Sequence, residues 1–209
     1  NPSWLHYFYF ADLVGAKTVS YPLLEENGFN VIPEDIEKLV TPNTKMIIVN
    51  SPNNPTGSIL SKESLQAIAD IANKYDLIVL SDEIYEKLIY DDSVHYSIAS
   101  LDGMKERTVL IHGVSKSYSM TGWRIGFAVS ANKEFISAMI RVLQYTITCA
   151  NSFAQDGAEA ALRGSQQCVE DMRLQFDRRR KLVYDRINKI EGLSCIAPKG
   201  AFYCFVNIK

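Results

Sequence analysis

The sequence predicts an α/β protein with a mostly parallel sheet covered on both faces. Three observations carry this. Short runs rich in Val and Ile, apolar on both faces, recur between residue 17 and about residue 130, as strands lying beneath helices on each side require. Stretches with apolar residues at helical spacing separate them, the alternation of a sheet wound from strand–helix units. Beyond Ala131 the alternation stops and the pattern turns helical, which marks the approach to a second, smaller unit.

The strands fall at residues 18–23, 46–50, 77–81, 108–113 and 125–130. Between the first two, Pro33 opens a short helix over 33–40 that Thr41-Pro42 stops, because proline cannot continue a helix. Ser61 caps a longer helix in which Leu65, Ile68, Ala69 and Ala72 share one face. After the fifth strand, helices are predicted over 132–147, 152–163 and 166–190. The last puts Val169, Met172, Phe176, Val183, Ile187 and Ile190 on one side and ends at Gly192. Its basic run, Arg178-Arg179-Arg180-Lys181, reads as a solvated face. Residues 202–208 read as a further strand. The expected division is a large domain over 1–165, then an inter-domain helix and the start of a small α+β domain over 166–209.

A length of 209 residues, 47% of them hydrophobic and 22% charged, suffices for one ordinary domain and the beginning of another. The net charge of -2 offers no basic field to nucleic acid. No apolar run reaches the roughly 18 residues of a membrane helix. Cys149, Cys168, Cys195 and Cys204 are too scattered for a Cys-x-x-Cys metal or redox signature, so no metal is expected. They read as free, mostly buried thiols in a reducing cytoplasm. The chain opens on Asn-Pro-Ser-Trp, with neither an initiator methionine nor a signal peptide, and an internal fragment of a longer protein is expected.

In open parallel sheets, ligands gather outside the carboxyl ends of the strands. After the second strand stands Ser51-Pro52-Asn53-Asn54-Pro55-Thr56-Gly57, and after the third Asp82-Glu83-Ile84-Tyr85. After the fourth comes Ser115-Lys116, and Arg124 heads the fifth. Each has an ordinary explanation when taken alone. Asn-Pro-Thr-Gly is good turn chemistry, Asp82 can cap a helix, a lone lysine is most often solvated, and Arg124 can pair with a carboxylate. In this order and at these strand ends, an amide, a carboxylate with a phenol, an amine and a guanidinium converge on one crevice.

Gly113-Val-Ser115-Lys116-Ser-Tyr-Ser-Met-Thr-Gly122-Trp-Arg124-Ile-Gly126 resembles the lysine signature of the class I/II aminotransferases of fold type I. Pro52-Asn-Asn54-Pro-Thr-Gly57 and Ser81-Asp82-Glu-Ile-Tyr85 match two other segments of that family in the same order, and Gly200-Ala-Phe-Tyr203 resembles the strand leading into its small domain. The likeness runs over essentially the whole chain and is closest to the prokaryotic aspartate and aromatic aminotransferase branch. It implies the three-layer PLP-transferase fold, pyridoxal 5'-phosphate (PLP) as cofactor, and a homodimer.

By the same resemblance, Lys116 holds PLP as a Schiff base and shuttles the substrate proton, a task that needs a lysine neutral near pH 7. Asp82 faces the pyridine nitrogen, and Asn54 and Tyr85 donate to the phenolic O3′. Arg124 grips the phosphate, with Ser115 a lesser partner and Trp4 stacked on the ring. The ordinary alternative for Trp4 is a buried aromatic near a strand end. The Asn54–Pro55 bond is expected to be cis. Gly113 stands where many relatives carry a serine and so supplies no hydroxyl to the phosphate. A small-residue turn before the stacking aromatic and a distal arginine for the substrate carboxylate do not occur in this sequence. The segment alone is therefore expected to bind PLP weakly and not to turn over. The implied reaction moves an amino group from an L-amino acid, aspartate or aromatic in type, to a 2-oxo acid such as 2-oxoglutarate. A PLP-dependent C–S β-lyase and the aminotransferase-like domain of a PLP-sensing transcriptional regulator would carry the same cofactor residues.

Overall fold

The computed structural model describes residues 1–208. Its main sheet has four strands in chain order: β1 (Met46–Asn50), β2 (Ile78–Asp82), β3 (Thr108–Gly113) and β4 (Gly126–Val129). The first three are parallel, with Asn50 opposite Asp82 and Asp82 opposite Ile111. The fourth is antiparallel, with Gly113 opposite Gly126. This reversal brings the amino end of β4 beside the carboxyl end of β3, so both ends of the 114–125 connection reach the same edge of the sheet.

Among the described residues, six α-helices accompany the sheet. They are α1 (His6–Leu13), α2 (Pro33–Glu37), α3 (Lys62–Lys74), α4 (Lys133–Thr146), α5 (Ser152–Arg163) and α6 (Gln167–Ile187). The Ser61 hydroxyl accepts the Ser64 N–H at 3.1 Å and starts α3 as expected. Leu65, Ile68, Ala69 and Ala72 then join Ile47, Val49, Leu77 and Val79 in the main core. Asn132 and Asn151 cap α4 and α5 in the same way. Helix α2 is shorter than its sequence pattern, because the Leu39 and Val40 N–H groups bond back three residues, to Ile36 and Glu37, and tighten the chain out of the α-helix. Helix α1 has no counterpart in the sequence reading. Only Tyr7 is buried while Leu5, Tyr9, Phe10 and Leu13 are exposed, so an apolar run without a one-sided period hides the helix.

Two predicted strands are corrected. Residues 18–23 lie outside the sheet. β1 is the sheet edge there, and it meets a side chain rather than a ladder: the Tyr21 hydroxyl donates to Ile48 O at 3.1 Å. Of residues 202–208 only β6 (Asn207–Ile208) is a strand, antiparallel to β5 (Leu193–Ser194). Ala201 takes a left-handed backbone at φ 56°, and the aromatic side chains that follow turn toward Tyr85. The cysteine reading is also corrected. Cys149 and Cys168 are exposed, Cys204 is half-buried and only Cys195 is buried. Among the described residues no helix is long and apolar enough to cross a membrane.

Arg178, Arg179 and Lys181 are exposed as expected, but Arg180 is not. Its side chain is 8% exposed, with Nη2 2.8 Å from Asp91 Oδ1 and 2.6 Å from Asp177 Oδ1. Nη1 donates to Pro198 O at 2.8 Å, and the guanidinium lies 4.8 Å from the Tyr90 ring centroid. A flat fork with five donors suits this many partners, whereas an ammonium does not. Arg180→Ala is expected to lower stability by about 2–3 kcal/mol, because it strips charged hydrogen bonds from a partly buried cluster. Thermal or urea unfolding measures this, and Arg180→Lys should recover only part of the loss.

Candidate active site

Asn50 ends β1 and fastens two neighbours. Its Nδ2 donates to Asp82 O at 3.0 Å, and its Oδ1 accepts the Asn54 N–H at 2.8 Å. Asn53 then turns the loop, its Oδ1 accepting from the Thr56 N–H at 3.1 Å and the Thr56 hydroxyl at 2.9 Å. The Asn54–Pro55 bond is cis, as the resemblance implied. Gly57 closes the loop at φ +70°, and its carbonyl accepts the N–H groups of Lys199 and Gly200, each at 2.8 Å. A Cβ at Gly57 would lie 2.7 Å from Pro198 Cβ and 2.9 Å from Tyr203 O. Glycine is needed here both for the left-handed backbone and for the close approach of the 198–203 turn.

Asp82 ends β2. Its Oδ1 accepts the Ile84 N–H at 3.2 Å and its Oδ2 accepts the Tyr7 hydroxyl at 2.6 Å. Burial pushes the Asp82 pKa above the usual carboxylate range, and the bonds from Tyr7 and Ile84 oppose it without cancelling it. Burial, followed by the Asp82 charge, likewise drives the Tyr7 phenol upward. Among the described residues, no ion pair includes Asp82. Glu83 is buried and accepts from Ser81 Oγ at 2.9 Å and Ser97 Oγ at 2.8 Å, with His95 Nε2 2.8 Å away. That set of contacts fixes the turn from which Asp82 and Tyr85 project.

Tyr85 is buried, its hydroxyl 2.6 Å from that of Tyr203. Burial, then the Tyr203 bond, pushes its pKa upward, while the neighbouring Asn54 side chain opposes the shift. The Lys116 Nζ lies 5.8 Å from the Tyr85 ring centroid and 5.7 Å from that of Phe202, with the two rings edge to face at 5.3 Å. No carboxylate pairs with Lys116 among the described residues. Asn54, Asp82, Tyr85 and Lys116 are thus brought to one end of the sheet, together with Tyr7, Phe202 and Tyr203.

The remaining sequence candidates sit at the rim. Thr121 links two of them: its hydroxyl donates to Ser115 O at 3.0 Å, and its carbonyl accepts from Arg124 Nη1 at 2.9 Å. Arg124 is exposed and left-handed at φ 55°. Trp4 precedes α1 rather than ending a strand and is not buried. It stacks on His6 at 4.4 Å and meets Tyr7 edge-on at 5.3 Å. At Gly113 a Cβ would fall 2.8 Å from Ile125 O, so the close pairing of β3 and β4 excludes a side chain there.

Sequence reasoning missed Tyr7 and gave Tyr203 no role. For Tyr7 the available signal was a phenol three residues after Trp4 in an aromatic-rich run.

The model of the family described as aminotransferase class I and II matches residues 1–209. The chain belongs to that family. Among curated class I and II relatives, the aspartate aminotransferase of Pyrococcus abyssi is 50% identical over 211 residues, covering 100% of this chain and 54% of the relative. The aromatic-amino-acid aminotransferase 2 of Thermococcus litoralis is 47% identical, covering 100% of this chain and 54% of the relative. The crystal structure of the aromatic aminotransferase from Pyrococcus horikoshii OT3 superposes with a TM-score of 0.95 at 46% identity, over 99% of this chain and 55% of that one. The chain spans about half the length of the curated relatives it matches. The three-layer fold expected from the resemblance is therefore that of this aminotransferase family.

Proposed function

We propose that the intact protein is a PLP-dependent aminotransferase that moves an amino group from an L-amino acid of aspartate or aromatic type to a 2-oxo acid such as 2-oxoglutarate. The observation that carries this reading is a charge pattern: a half-buried carboxylate, Asp82, has no ion-pair partner among the described residues at the sheet end where Lys116 has none either. A buried charge calls for a partner of opposite sign, and a protonated pyridine nitrogen suits Asp82. The donor set fits the rest of the cofactor: Asn54 and Tyr85 can donate to its phenolic oxygen, Arg124 and Ser115 can hold its phosphate, and Trp4 can cover its ring.

PLP, when bound, supplies an electron sink for the charge left at the substrate Cα. The chain's own residues then have distinct tasks. Lys116 would hold the cofactor aldehyde through Nζ, and the same atom would carry the substrate Cα proton. Asp82 holds the proton at the ring nitrogen, and Tyr7 and the Ile84 N–H fix the direction of its carboxylate. The Tyr85 and Phe202 rings exclude water around Nζ. We further propose a cytoplasmic homodimer and a small domain beginning near residue 166, readings supported by the family resemblance and the free thiols.

The test is glutamate formation from 2-oxoglutarate with L-aspartate or L-phenylalanine as donor, using the intact protein with and without PLP. PLP-dependent glutamate is expected. No glutamate from either donor would overturn the proposal.

A further inference from the structure

We infer that Tyr203 is a positioning residue that acts on the cofactor through Tyr85, its hydroxyl setting how strongly the Tyr85 hydroxyl can donate. The inference rests on the PLP reading above and gives a task to Tyr203, which the reaction otherwise leaves idle. The two hydroxyls meet at 2.6 Å across 118 residues of sequence. A phenol has one proton to give. Either hydroxyl can be the donor of this bond as it stands; once Tyr85 gives its proton to the cofactor's phenolic oxygen, Tyr203 must be the donor within the pair. A hydrogen bond received by the Tyr85 oxygen polarises its O–H and strengthens the bond it gives onward.

The turn holding Tyr203 is built for fixed delivery. Lys199 and Gly200 donate to Gly57 O at 2.8 Å each, Ala201 donates to Leu88 O at 2.8 Å, and the Tyr90 hydroxyl donates to Ala201 O. Phe202 stacks on Phe176 of α6 at 5.3 Å. The turn is thereby tied to the loop that carries Asn54, to the segment after Tyr85 and to the long helix. The titratable groups facing Tyr85 are Tyr203, Asp82 and Tyr7, with Lys116 Nζ beyond the ring face. From α6, the side chains beside it are the uncharged Met172 and Phe176.

The experiment is a pH titration of the visible absorption of the PLP-loaded intact protein, carried out on wild type, Tyr203→Phe, Tyr85→Phe and the double variant. A donor at the phenolic oxygen draws electron density from it and loosens its hold on the neighbouring proton at Lys116 Nζ. Weakening that donor therefore raises the midpoint. Tyr203→Phe is expected to raise it by about half a pH unit, roughly threefold in the protonation equilibrium. Tyr85→Phe should raise it further, and adding Tyr203→Phe to that variant should move it no more. An unmoved midpoint in Tyr203→Phe, additive shifts in the double variant, or outright loss of the band in Tyr203→Phe would each overturn the relay. Absence of any lysine-dependent band in wild type would instead overturn the cofactor reading and the relay with it.

Discussion

Lys116→Ala in the intact protein should abolish both its PLP-dependent visible absorption and its amino transfer. Nζ lies against both the Tyr85 and Phe202 rings, and no carboxylate holds it among the described residues. An amine placed this way is available for covalent chemistry rather than committed to an ion pair. Losing the positioned proton carrier alone costs about 10²–10⁴-fold in rate, and losing the covalent attachment adds to that. Lys116→Arg should not restore activity, because a guanidinium stays protonated and cannot take up a proton. Thermal unfolding of the Lys116→Ala protein without PLP should change little. An unaltered absorption band in Lys116→Ala would refute the assignment of this lysine.

Asp82→Asn should separate turnover from stability. The amide keeps the shape of the side chain and an oxygen for the Tyr7 hydroxyl, but it removes the negative charge that would hold a proton on the ring nitrogen. Losing a preorganised electrostatic contact of this kind costs about 10²–10³-fold in kcat. Stability in the absence of PLP should move the other way. Burial raises the Asp82 pKa above its unfolded value. Folding therefore favours the protonated acid, and this contribution is fully present below the unfolded pKa and lost as pH rises through the higher folded value. Above that window the ionised carboxylate weighs against the fold. The Asn variant lacks this penalty, so its melting temperature relative to wild type should rise as pH climbs above the ordinary aspartate range, while turnover falls. Wild-type turnover in Asp82→Asn would remove Asp82 from the reaction.

Much of this arrangement was legible in the sequence, and the misses have physical causes. β1, β2 and β3 announce themselves because largely covered strands are near-continuous runs of Val, Ile and Leu, and α3 because Ser61 caps a run with apolar residues at helical spacing. Asn54, Asp82, Tyr85 and Lys116 follow from reading what stands after each strand. Residues 18–23 have strand-like composition, but composition does not supply a neighbour to bond with, and the Tyr21 side chain takes the place where one would lie. Arg180 looked like its neighbours because only the fold brings Asp91 and Pro198 to it. Tyr7 and Tyr203 escaped notice because each finds its partner far away in sequence, 75 residues off at Asp82 and 118 residues off at Tyr85.

The contact between the 50–57 loop and the 198–203 turn constrains how this protein can change. At Gly57 an added Cβ would strike Pro198, and at Gly200 it would strike Pro52 at 2.6 Å, so each segment offers a glycine to the other's proline. Neither glycine can be replaced while the opposing ring stays where it is. Residues in contact do not contribute independently, so variation in either segment is conditional on the other. Substitutions that reshape the Asn54 loop will survive in pairs with changes at 198–200, and a transplant of one segment between relatives will fail where an exchange of both succeeds.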